Sequence, residues 1–96
     1  MALNEFIKKS LRITTDVFDE EVNGLIEACK ADLQRVGISV DEKDALIVRA
    51  VVFYCKAYFG YDDTAAADKN QAAYEKLRQA LALTAEYRGD ESKNAQ

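Results

Sequence analysis

The stretch Val48–Tyr61, VRAVVFYCKAYFGY, decides the fold, because it is apolar almost all the way round and carries charge only at Arg49 and Lys56. Its β-branched and aromatic residues favour a strand locally. Length argues the other way: the apolar run from Ala45 to Tyr61 far exceeds a typical strand, and helix-capping residues flank it. The spacing therefore predicts a helix from Ser39 or Asp41 to Gly60. The SVDE sequence fits a capping box, with Ser39 as cap and Glu42 reaching back.

On a helical wheel this segment shows two apolar stripes. Leu46, Ile47, Ala50, Val51, Tyr54, Ala57, Tyr58 and Tyr61 cover a broad face, and Val48, Val52, Cys55 and Phe59 form a second stripe roughly 130° away. Arg49 and Lys56 share the narrow remaining side. A helix of this kind is either central in its own domain or shared with something else. Two readings stay open: the other helices enclose it fully, or part of the second stripe meets another subunit. The second makes Val48, Val52, Phe59 and Tyr61 candidate interface residues, since exposed apolar clusters mark interaction sites and aromatics are enriched at interface cores.

Working outward, Leu3–Leu11 reads as a short helix with Leu3, Phe6, Ile7 and Leu11 on one side, broken by RITTD. A long helix follows from Asp16 or Val17 to Val36. Thr15 or Asp16 is its expected cap, and Asp19, Glu20 and Glu21 lie where the helix dipole favours negative charge. Phe18, Val22, Leu25, Ile26, Cys29, Leu33 and Val36 make a single stripe, and Gly37 is the expected left-handed terminator. The DKNQ sequence predicts the start of the last helix at Asp68, and the helix ends at Arg88 before Gly89. Its stripe is Tyr74, Leu77, Leu81 and Ala85. The expected fold class is all-α: a small bundle of four helices, one short and three long, around a central apolar third helix. Residues 1–89 are expected to form one domain and residues 90–96 a flexible polar tail.

Composition narrows the function. The chain has 96 residues, 49% apolar and 31% charged, with a net charge of −4, so it is globular rather than disordered. The acidic balance argues against a module that grips nucleic-acid phosphates. Lys8, Lys9 and Arg12 form a basic cluster offset by Asp16, Asp19, Glu20 and Glu21, and read as a solvated face. There is no histidine, the commonest general base and metal ligand. No phosphate loop, nucleophile elbow or zinc spacing is present.

Cys29 and Cys55 lie in apolar stripes and read as buried hydrophobes rather than as a disulfide or a nucleophile. Asp62 and Asp63 are adjacent on a loop with no third ligand, and read as a turn. No catalytic residue, cofactor or metal is expected. The opening MALNEFIKKS lacks the apolar run of a secretory leader, and no stretch has the length of a membrane span, which predicts a cytoplasmic address and no membrane partner.

The order of motifs resembles the phage head–tail connector family, also called head-completion or DNA-packaging adaptor proteins. LNEFIKKSLRITTD supplies a short helix closing on Leu11-Arg12-Ile13. The acidic turn Thr15, Asp16 and Asp19 follows, then Leu25-Ile26-Glu27-Ala28-Cys29 as the core of the next helix. The strongly apolar ALIVRAVVFYCKAYFGY ends in aromatics, and LALTAEYRG closes the last helix with Leu83, Tyr87, Arg88 and Gly89. The resemblance spans Leu3 to Gly89. The chain departs from it at Cys29, where a small residue is common, and in the alanine-rich YDDTAAADKNQ.

The resemblance implies a non-enzymatic subunit of a homo-oligomeric ring. Such a ring assembles in the host cytoplasm beneath the portal protein, extends the DNA channel at the virion neck and receives tail-side or stopper proteins. An acidic lumen would let DNA pass without specific binding, by charge repulsion. Tyr87 and Arg88 join the candidate interface if the EYRG end docks on a neighbour. The alternative is a small cytosolic adaptor or regulatory module that binds a partner helix in a groove. Neighbouring portal, terminase or capsid genes separate the two.

Overall fold

The computed structural model describes residues 3–59, 64–84 and 87. Among them are four helices and no strand: α1 (Leu3–Ser10), α2 (Asp19–Arg35), α3 (Ala45–Tyr58) and α4 (Thr64–Leu83). The all-α expectation holds, and α3 packs against each of the other three, most extensively against α4. Its core residues Ile47, Ala50, Val51 and Cys55 meet Ile7 and Leu11 near α1, Val22, Ile26, Cys29 and Leu33 of α2, and Tyr74 and Leu81 of α4.

The first two helices end in the same way. Arg12 takes a left-handed conformation, φ 61°, and Gly37 another, φ 87°. In each case the next residue's N–H reaches five residues back, Ile13 to the Lys8 carbonyl at 2.9 Å and Ile38 to the Leu33 carbonyl at 3.0 Å. The left-handed residue itself donates to Lys9 or Gln34 at 3.0 Å. This paired arrangement satisfies carbonyls left free at a helix end. Gly37 is the terminator expected from sequence. Arg12 does the same job with a side chain that disfavours it. Arg12→Gly is therefore expected to raise stability by about 0.5–1 kcal/mol, read as a shift of the urea midpoint at unchanged slope.

Three helix starts differ from expectation. The residue capping α2 is Phe18, with no side-chain cap bond; the Thr15 hydroxyl instead accepts from the Val17 N–H at 3.3 Å. For α3 the cap is Asp44, whose carboxylate accepts from the N–H groups of Leu46 at 2.8 Å and Ile47 at 3.3 Å. Ser39 does not cap: its N–H donates to the Tyr87 carbonyl. Glu42 pairs with Lys30 at 2.7 Å rather than closing a capping box. The cause is local. The Asp41 carboxylate accepts from Lys43 N–H at 2.9 Å, a turn that holds the chain out of the helix until Asp44, while burial of Ile38 anchors the segment before it.

The last helix starts at Thr64, upstream of Asp68, because Ala65–Ala67 are the strongest helix formers available. Asp68, the expected start, lies inside the helix, as does Asn70, which donates to the Ala66 carbonyl at 2.9 Å. That helix ends at Leu83 rather than Arg88. Likewise α3 ends at Tyr58 with Phe59 as cap, short of Gly60.

Ion pairs fasten the rim of the bundle. Lys8 holds Asp19 at 2.7 Å and Asp16 at 2.9 Å, joining α1 to the start of α2. The Asp19 and then the Asp16 hydrogen bonds raise its ammonium pKa. Lys8 is thus a paired side chain and not simply part of a solvated basic face. Between α2 and α4, Asp32 accepts from the Tyr74 hydroxyl at 2.6 Å and from Arg78 at 2.7 Å, and its other oxygen accepts from Arg35 at 2.8 Å. Arg78 also lies 5.6 Å from the centre of the Tyr74 ring.

Candidate functional site

The helix that decides the fold is not enclosed on all sides. Its buried face is turned from the first stripe read from sequence toward the second. Cys55, expected in the outer stripe, is fully buried, whereas Leu46 and Tyr58, expected on the core face, are 42% and 47% exposed. Val48 and Val52 are half-buried, as is Phe59. Only one member of the outer stripe is therefore fully covered within the protomer.

Val48 and Val52 form the floor of an open groove of about 520 Å³ between α1 and α3. Leu3 and Phe6 of α1 and Ala45 and Phe53 of α3 add to its apolar lining, and its charged lining residues are Glu42, held by Lys30, and the cations Arg49 and Lys56. Neither cation has an ion-pair partner among the described residues. The groove stays open because α1, only eight residues long, packs against α3 without covering it. Arg49 and Lys56 are seven residues apart, two turns along one side, and Val48, Val52 and Phe53 fall beside them.

The other candidate residues sit elsewhere. Phe59 packs edge-on against Phe18, ring centres 5.5 Å apart at 84°. Tyr87 lies over the start of α3. Its hydroxyl donates to the Asp44 carboxylate at 3.0 and 3.2 Å, and its carbonyl accepts from Ser39. Tyr87 thus links to the cap of the central helix through its side chain and to the segment before it through its backbone. Tyr61, Arg88, Gly89, the Asp62–Asp63 pair and the tail at 90–96 lie outside the described residues. Asp44→Ala removes the α3 cap and the Tyr87 acceptor together. It is expected to cost about 2 kcal/mol, measured by thermal or urea unfolding.

Phe6, Phe53, Arg49 and Lys56 were not legible as site residues. Phe53 carried the available signal: it is an aromatic on the side of the helix that also bears both cations, and no intrahelical pattern accounts for it there.

The chemistry of the described residues is sparse. No group of His, Cys, Asp or Glu among them is arranged to hold a metal ion. Cys29 and Cys55 are free and buried, and burial pushes both thiols up to about 12, so neither is present as a nucleophilic thiolate near neutrality. Among the described residues, no helix is long and apolar enough to cross a membrane.

What the fold presents is a small all-α module with an apolar, cation-rimmed groove along its central helix. The chain belongs to the phage connector protein family, whose model matches residues 3–88. No curated protein and no solved structure matches it significantly. Membership implies a structural rather than a catalytic role and a place at the virion neck, in contact with other virion proteins.

Proposed function

We propose that the protein is the repeating subunit of a head–tail connector ring that joins the portal to tail-side or stopper proteins and extends the DNA channel. One observation carries the assembly reading. The central helix leaves Val48 and Val52 half-buried over an open groove, and clusters of this kind are found where a second protein binds. The family match supports the place of assembly. The net charge of −4 suits a lumen along which DNA slides without being held. Subunits are made in the host cytoplasm and join the neck once the portal is in place.

Native mass spectrometry and electron microscopy of the protein at rising concentration, alone and with its cognate portal, test this. Rings, or a multiple of subunits on the portal, are expected. Strict monomers that also fail to bind the portal overturn it.

A further inference from the structure

A second surface complements the groove. Val17 is 80% exposed and Phe18 40% exposed, in the turn just before α2. Asp16 and Asp19 flank them and are held by the protein's own Lys8. Glu20 and Glu21 are exposed and have no ion-pair partner among the described residues. The acids alone are explained by the dipole of α2. That does not explain an almost fully exposed valine among them. The turn is an apolar knob beside two acids, Glu20 and Glu21, with no ion-pair partner among the described residues; the groove is an apolar cleft whose two cations likewise have none there, while the one acid lining it, Glu42, is held by Lys30 at 2.7 Å.

We propose that the turn at Val17 and Phe18 of one copy docks into the α1–α3 groove of the next, with Glu20 and Glu21 facing Arg49 and Lys56. The inference rests on the ring reading above and names its contact. Knob and groove share no residue, so the contact is heterologous, the type that propagates from copy to copy and closes into a ring. A groove of about 520 Å³ takes several side chains rather than one. Opposite charge at the rim fixes register and steers the encounter.

The test mixes two variants, Val17→Cys and Val52→Cys, under assembling conditions, with the cognate portal where the ring needs a template. After mild oxidation, a non-reducing gel is expected to show linked chain pairs in the mixture at about ten times the level of either variant alone, as a heterologous contact requires. Cys29 and Cys55 are fully buried and do not compete.

Independently, Arg49→Glu with Lys56→Glu is expected to lower ring yield about tenfold or more, as is Glu20→Lys with Glu21→Lys. Combining all four in one chain restores it to within about threefold, because the charges are then exchanged across the contact. Rings that form normally while neither the cysteines nor the charges matter overturn this contact and leave the ring reading intact. Protection of Val52→Cys from a thiol-alkylating reagent by the portal, with no linkage to Val17→Cys, gives the groove to the portal and overturns it too. No assembly by the unaltered protein, with or without portal, removes both.

Discussion

Val51→Asp is expected to unfold the protein, whereas Val52→Asp, one residue on, leaves a folded helical monomer that no longer assembles. Val51 is fully buried against the core. An unpaired carboxylate there costs several kcal/mol, a large share of the roughly 5–10 kcal/mol that hold a domain of this size together. Val52 is half-buried on the groove floor. A carboxylate at that position reaches water, and it lies one turn from both Arg49 and Lys56, close enough for a helical ion pair.

Its cost to the fold is expected to be about 1 kcal/mol, the loss of part of a valine's burial. The cost to a contact that covers the groove is larger, because docking strips the water away. Circular dichroism with thermal melting reads the first effect and native mass spectrometry the second. Unfolding by both variants would show that the outer stripe belongs to the core. Normal assembly of a folded Val52→Asp would remove the groove from the interface.

The difference between these neighbours shows where sequence reading stopped. The helix, its two stripes and the side bearing Arg49 and Lys56 all follow from periodicity within one segment. Which side of the helix is covered depends on where α1 and α4 lie, and periodicity in α3 carries nothing about that. Cys55 moved into the core and Leu46 out of it because the buried face is set by neighbours and turned toward the second stripe, whereas Tyr58 falls on that face but is the last residue of the helix. The helix starts failed for a local reason. Ser39 and Asp44 both satisfy the rule for a cap, and a turn at Asp41 selects the second.

Gly37 was legible because glycine advertises a left-handed residue; Arg12 in the same conformation was not. The Leu11-Arg12-Ile13 triplet nonetheless has a structural meaning. Leu11 is buried, Arg12 turns the chain, and the Ile13 N–H closes the helix end. The links of Tyr87 to Asp44 and of Tyr74 and Arg78 to Asp32 join residues more than forty apart, beyond the reach of any local pattern.

The Asp32 cluster gives the other large effect. Burial opposes ionisation of this carboxylate, but the Tyr74 hydroxyl and the guanidinium groups of Arg35 and Arg78 outweigh it and hold the pKa at about 2, below the ordinary 3.8. A group that is more acidic in the fold stabilises it above its unfolded pKa. As pH falls through about 4 the unfolded chain takes up the proton first, and the advantage shrinks until it is gone below about pH 2. A shift of this size is worth about 2 kcal/mol at neutral pH.

Asp32→Asn keeps the shape but leaves two cations facing a neutral amide and weakens the bond to the buried Tyr74 hydroxyl. It is expected to lower stability by about 2–3 kcal/mol at pH 7. Urea unfolding at pH 7, 4 and 2.5 checks the mechanism. The gap between the two proteins is expected to narrow with acidification, with about a third of its charge-dependent part left at pH 2.5, because the unfolded chain has by then taken up its proton while the folded carboxylate is only beginning to. A gap that stays constant across that range would mean that Asp32 acts through packing and neutral hydrogen bonds, and that charge contributes little to holding α2 against α4.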